Sequence, residues 1–255
     1  MKPNRVGAIA RYTVLEAWRN RLGIIVAVAV ALLFLLSVFV RELAVTESGR
    51  LQTALLAAAL RLASVFLVGL YVLNGLTREF NDKVVELVLS LDLPRPAYVL
   101  GKFLGYAVVA AVVALIATIP VAFLAPAGAA AWGFSLALEL LLVAAIAVFC
   151  VTTFTQLLSA AAFVAAFYLL ARSITAIQLM STAGLVADAG PAQKLGEWLA
   201  NAMAFVLPRL DTFTQTAWLM PEGSPGGLGA IVLQSAIYVA LLLGAAMFDL
   251  YRRNF

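Results

Sequence analysis

Residues Leu22–Val40 carry no charged side chain, and that stretch constrains the chain more than any other feature. The hydrocarbon core of a bilayer is spanned by about 20 apolar helical residues, each rising ~1.5 Å. The stretch is long enough to cross. It ends at Arg41-Glu42 without a small-residue cleavage pattern, so it reads as a retained span rather than a signal peptide. The pattern recurs. Leu55–Leu76 holds one charge, Arg61, and the residues from Phe103 to Ala171 hold only Glu139. Turn residues divide this long run at Pro126-Ala127-Gly128 and at Thr152–Gln156. The resulting spans are 22–40, 55–76, 103–125, 134–151, 157–177 and 228–248, an all-α polytopic membrane protein forming one transmembrane domain.

Composition agrees. Of 255 residues, 64% are hydrophobic and 12% charged, with mean hydropathy +1.04, whereas a soluble domain is about one quarter charged. Histidine is absent and Cys150 is the single cysteine. Those absences exclude an intrachain disulfide, a His-based triad, and a Cys/His centre for zinc, haem or iron–sulfur. The net charge is +4. The basic residues flank apolar segments instead of interleaving with aromatics, which argues for topology signalling and against nucleic acid.

Orientation follows from the same residues. With the N-terminus inside, the cytoplasmic side collects Lys2, Arg5, Arg11, Arg19, Arg21, Arg78, Lys83, Arg95, Lys102, Arg252 and Arg253. The other side keeps Arg41, Arg50, Arg61, Arg172, Lys194 and Arg209. Lys and Arg concentrate on cytoplasmic loops, so both termini are expected in the cytoplasm of a plasma membrane, here a bacterial inner membrane.

Two further segments read as surface helices. In 4–20, Val6, Ile9, Ala10, Thr13, Val14, Ala17 and Trp18 recur at helical spacing, with Arg5, Tyr12, Glu16 and Arg19 opposite. Such a helix lies along the cytoplasmic interface with Trp18 at headgroup level, and Arg11, Glu16, Trp18 and Arg19 are its candidate interfacial residues. In 80–93, Val84, Val85, Val88 and Leu91 form an apolar face. Glu79, Lys83, Glu86 and Ser90 form a polar one, and Pro94 ends the helix. The long segment 181–227 reads as an extracytoplasmic loop holding a short helix over Ala192–Val206.

No G-x-x-x-x-G-K-[ST] phosphate loop occurs, because Gly101-Lys102 lacks the earlier glycine and the following Ser/Thr. ATP and magnesium, if used, belong to another chain, and no cofactor is expected in this one. Proton- or sodium-coupled carriers place acidic groups at membrane depth, and Glu139 is the one such candidate.

The stretch from Glu79 through Lys83, Glu86, Leu89-Ser90 and Pro94-Arg95 to Tyr98-x-x-Gly101-Lys102 resembles the cytoplasmic signature of ABC-2-type permeases. Ile9-Ala10-Arg11-Tyr12 and Leu15–Leu22 are similar to that family's interfacial helix. Leu207-Pro208-Arg209-Leu210-Asp211-x-Phe213 is similar to its NosY-like branch, which includes the permease of nitrous oxide reductase maturation. The Gly-Thr common within the family's coupling helix is replaced by Asp82-Lys83-Val84-Val85. The resemblance implies a permease subunit with a coupling helix bearing Glu79, Lys83, Glu86, Ser90, Pro94 and Arg95. It also implies a separate ABC ATPase subunit that hydrolyses ATP, and a second permease copy. Two rival readings are a membrane scaffold that passes ATPase work to an extracytoplasmic protein through 181–227, and an ATP-independent carrier.

Three charges fall inside the expected spans. Arg61, Glu139 and Arg172 each sit about five or six residues, roughly 9 Å or less, from the outer end of a span. Arginines at that depth can snorkel to headgroups. A glutamate reaches less far, so Glu139 is expected to pair with Arg61 or Arg172.

Overall fold

In a computed structural model, residues 3–43, 48–85, 94–154, 156–182, 191–220 and 226–252 are described. Among them are eight α-helices: α1 (Pro3–Arg19), α2 (Leu22–Leu43), α3 (Ser48–Asn81), α4 (Arg95–Leu124), α5 (Pro126–Thr153), α6 (Leu157–Thr182), α7 (Pro191–Val206) and α8 (Leu228–Arg252). Two short 3₁₀ turns, Leu210–Thr212 and Thr216–Leu219, lie between α7 and α8. Six helices, all but α1 and α7, are long and apolar enough to cross a membrane.

The centre is α5. Its residues are apolar on every face apart from Glu139 and a few small polar groups, and a helix of that kind is stable only when enclosed. Trp132, Leu136, Leu140, Ala144, Ala147 and Cys150 are almost wholly buried. α4, α8, α3 and α6 pack around it. The peripheral α2 exposes Ile24, Ile25, Leu32, Leu35, Leu36 and Phe39, side chains that need lipid rather than water.

The chain breaks where turn chemistry dictates. α4 stops at Leu124 and α5 restarts at Pro126, because proline is suited to a first helical turn and cannot donate within a continuing one. At this corner Gly128 lies so close to the carbonyl of Trp218 that a Cβ would collide with it. α5 ends at Thr153, just before α6.

All the helix ends near the 82–94 loop meet at one end of the bundle, termed basal. Arg95 Nη1 donates to the carbonyls of Leu250 (3.1 Å) and Tyr251 (2.7 Å) at the end of α8, where a cation also favours the helix dipole. Thr153 Oγ1 donates to Asp249 Oδ2 at 2.6 Å, joining the ends of α5 and α8. The opposite, distal end holds the α2–α3 and α4–α5 connections.

α1 packs onto α4 rather than lying free. Gly101 and Gly105 stand one helical turn apart and let α1 approach closely. A Cβ on Gly101 would lie 2.7 Å from Ile9 Cβ, and one on Gly105 2.5 Å from Thr13 Cβ. Thr13 is fully buried there, while Tyr12, Leu15 and Trp18 on the outer face are exposed, Trp18 at 84%. Small residues at such spacing commonly let membrane helices approach closely.

Two segments differ from the sequence reading. The helix expected from residue 80 is instead the last turn of α3, which runs to Asn81. The chain then turns at Asp82–Lys83, with Lys83 at φ 55. Helical backbone resumes at Val84–Val85, and the rest of that expected helix, including Glu86 and Ser90, lies outside the described residues. Within the expected loop 181–227, residues after α7 fold back into the bundle. Tyr238 Oη of α8 donates to the carbonyl of Val206 at 3.1 Å, and Leu210, Phe213 and Trp218 are buried. α7 and the two 3₁₀ turns therefore form a re-entrant hairpin that descends beside α6 and α8 and rises to the α4–α5 corner.

Overfilling a close helix contact costs about 1–3 kcal/mol. Gly105→Leu is therefore expected to loosen α1 and lower the thermal midpoint in detergent. Gly7→Ala, on the open face of α1, should leave that midpoint unchanged.

Candidate functional site

Of the residues that the sequence singles out, Glu79 falls into one polar cluster and Arg61, Glu139 and Arg172 into a second, at opposite levels of the bundle. The basal one is built on Glu79, in the last turns of α3, which is 9% exposed. Its Oε2 accepts a hydrogen bond from Tyr98 Oη at 2.7 Å, and its Oε1 accepts one from Lys102 Nζ. Lys102 is 3% exposed. Both partners lie on one face of α4 just after the loop, so the carboxylate clasps the loop's two roots together. Gly101, between them in sequence, receives Ile9 of α1. The acidic residue and the Tyr-x-x-Gly-Lys motif are thus a single three-helix joint. Glu79 does not share an open polar face with Lys83. It points into the bundle, whereas Lys83 is exposed. Pro94 precedes α4 as its N-cap residue, and Arg95 faces the end of α8.

The second cluster surrounds Glu139, which is fully buried. It lies about 20 Å from the start of α5, counting 1.5 Å for each residue from Pro126, because α5 begins well before the expected span. Tyr168 Oη donates to Glu139 Oε1 at 2.8 Å. Arg172 Nη1 stands 3.4 Å from the same oxygen, and Thr214 Oγ1 donates to Oε2. Arg172 is thus the arginine that reaches Glu139. Its stronger bonds go to backbone: Nη1 lies 2.6 Å from the Leu210 carbonyl and 3.1 Å from that of Phe213. Arg61 Nη1 donates to the Thr214 carbonyl at 3.3 Å.

The two arginines therefore do more than escape to headgroups. Non-helical backbone at membrane depth is tolerated only where its polar groups find partners in protein or water. Arg172 satisfies the carbonyls of Leu210, at the start of the first 3₁₀ turn, and of Phe213, just after it, Arg61 satisfies that of Thr214, and Ser135 Oγ accepts from the Thr214 N–H at 3.0 Å. Thr214 adopts φ 43, an uncommon conformation for a β-branched residue. Polar side chains from α3, α5 and α6 fix it there.

Sequence reasoning missed Tyr98, Lys102, Tyr168, Ser135 and Thr214 as members of these clusters. For the basal set a signal existed, since a lysine inside an apolar helix start needs a counter-charge. For Thr214 none did.

Six helices long and apolar enough to cross a membrane, with buried ion pairs that tie α3 to α4 and α5 to α6, define a polytopic membrane domain. The model of the ABC-2 type transporter family matches residues 4–200. That match covers α1 to α6, both partners of each ion pair, and much of α7. The chain belongs to the ABC-2 type transporter family and is a transmembrane permease subunit of an ABC transporter. ATP hydrolysis in that family belongs to a partner subunit. No curated protein matches the chain.

Removing one member of a buried ion pair costs about 3–5 kcal/mol. Glu139→Ala and Arg172→Met are each expected to lower the thermal midpoint sharply. Tyr168→Phe, which deletes one hydrogen bond among several, should cost only about 1 kcal/mol. Thermal scans of the detergent-purified protein check the order. Equal, small losses in all three would contradict a dry cluster.

Proposed function

We propose that two copies of this chain form the membrane part of an ABC transporter, with each copy receiving ATPase motion through residues 82–94. The observation that carries this reading is the Glu79–Tyr98–Lys102 clasp. A loop that docks on a moving partner transmits force only if its roots are stiff, and here a buried carboxylate ties α3 to α4 directly beneath it. Arg95 extends the joint to α8, and Gly101 extends it to α1. A push on the loop would therefore reach four helices at once.

In this reading Lys83, Glu86 and Ser90 face the ATPase, and Arg11, Trp18 and Arg19 hold α1 at the membrane surface. The termini lie in the cytoplasm, supported by the grouping of Arg5, Arg11, Arg19, Arg21, Arg78, Lys83, Arg95 and Arg252 at the basal end. The re-entrant hairpin then belongs to the far side. Its Leu207–Phe213 segment underlies the likeness to the NosY-like branch and lies beyond the family match. A symmetric homodimer is the economical assembly, and ATP closure would switch the bundles between inward- and outward-facing states. The work delivered at the far side is export, or action on an extracytoplasmic protein.

Reversing a charge on the docking face should break assembly without disturbing insertion. Glu86→Arg is expected to lower co-purification of the ATPase, or its coupling, while the permease still reaches the membrane. Unchanged assembly and coupling would remove this face as the dock. For orientation, a cysteine at Asp92 in a Cys150→Ser background should resist an impermeant thiol reagent in intact cells, and one at Gly223 should react. The reverse pattern would overturn the topology.

A further inference from the structure

Tyr106 of α4 is 1% exposed, yet its Oη has no hydrogen-bond partner among the described residues. Buried hydroxyls are nearly always bonded, and an unpaired one costs free energy. The ring stands edge-on to Tyr71 of α3, with centroids 6.0 Å apart and planes at 82°. The hydroxyl reaches α3 at Gly75, where an added Cβ would lie 3.1 Å from it.

Spacing explains where this hydroxyl points. Tyr98, Lys102 and Tyr106 recur every four residues on one face of α4, each step rising about 6 Å. Opposite them, Tyr71, Gly75 and Glu79 recur every four residues on α3. The two helices run antiparallel, since α3 ends and α4 begins at the basal end. Helical side chains lean toward the N-terminus of their own helix. Glu79 and Tyr106 therefore lean toward one another across Gly75, which puts no side chain between them. The Glu79 carboxylate takes its bonds from Tyr98 and Lys102, the first two donors on that face of α4. The third donor, Tyr106, has the same chemistry as the first.

We propose that Tyr106 is a second partner for Glu79, which gives the basal clasp two positions. In the position described, Glu79 is bonded to Tyr98 and Lys102. In the other it keeps Lys102 and exchanges Tyr98 for Tyr106, a step of one helical turn or less along α4. Tyr98 lies in the first turn of α4, beside the loop. A shift of α4 toward the basal end carries Tyr98 out of the bundle and brings Tyr106 to Glu79. Element shifts of up to one turn are a known kind of switching transition. That a pushed loop selects the second position rests on the reading of residues 82–94 as the ATPase dock.

A double-mutant cycle on the full chain in detergent tests the second position without the ATPase. Tyr106→Phe removes a hydroxyl with no partner in the first position, so the thermal midpoint should not change. Tyr98→Phe removes the competing donor and moves Glu79 to the second position. In that background Tyr106→Phe should lower the midpoint by about 2–4 °C, the shift expected for one hydrogen bond in a chain of this size. A Tyr106→Phe effect that is the same in both backgrounds, whether nil or a loss, would overturn the proposal. The second arm uses the permease–ATPase complex and an impermeant thiol reagent on a cysteine at Gly226, in a Cys150→Ser background. Its labelling rate should respond to ATP in the otherwise native chain. The response should vanish in Tyr106→Phe, and in Gly75→Ala, which keeps all three donors but fills the space between Glu79 and Tyr106. A response that survives both variants would overturn the exchange as the coupling step. No response in the native chain, with the cycle still coupled, would sink the reading of the loop and leave the second position standing.

Discussion

Backbone polar groups in a bilayer have no water to turn to, and the distal half of this molecule is organised around that constraint. Residues 207–220 are too short and irregular to satisfy their own carbonyls by helical hydrogen bonds. They can enter the bundle only because Arg61, Arg172 and Ser135 supply partners. Those arginines in turn need a counter-charge in a dry interior, and Glu139 provides it at the middle of the central helix. The buried glutamate is thus a consequence of the re-entrant hairpin as much as of helix packing.

The basal half solves a different problem with the same chemistry. A loop between two crossing helices would ordinarily be a soft connection. Glu79, Tyr98 and Lys102 bond one another where α3 ends and α4 begins, and those bonds stiffen the junction. α1 adds a third helix to the joint because Gly101 and Gly105 leave it room. Arg95 adds α8 through the last carbonyls of that helix. Both halves use a carboxylate shared between helices, and each is built from residues far apart in sequence.

Much of this architecture is legible in the sequence. Apolar runs of bilayer length with at most one charge each announce the six long helices, and Pro126 marks its corner to the residue. The basal loop and α1 carry enough of a signature to suggest the family. The re-entrant hairpin is not legible, because Leu207–Met220 has neither helical nor strand periodicity and nothing local reveals that its carbonyls are held by distant arginines. In the stripe Glu79, Lys83, Glu86 and Ser90, the first residue misleads for a related reason. Helical spacing persists across the end of α3, so Glu79 reads as exposed while α4 covers it. The choice of Arg172 over Arg61 for Glu139 depends on Thr214, whose carbonyl occupies Arg61. The Gly101-x-x-x-Gly105 spacing was a readable sign of close helix contact.

The central claim is that the basal clasp carries ATPase motion into the bundle, and one measurement addresses it directly. A cysteine at Gly226, at the distal mouth where a side chain meets open space, would be introduced in a Cys150→Ser background. Its labelling rate by an impermeant thiol reagent would be followed in the permease–ATPase complex with and without ATP. The account predicts an ATP-dependent rate in the otherwise native chain. It also predicts loss of that dependence in Lys102→Met, with the ATPase still bound. An ATP-dependent rate that survives Lys102→Met in an intact complex would contradict it.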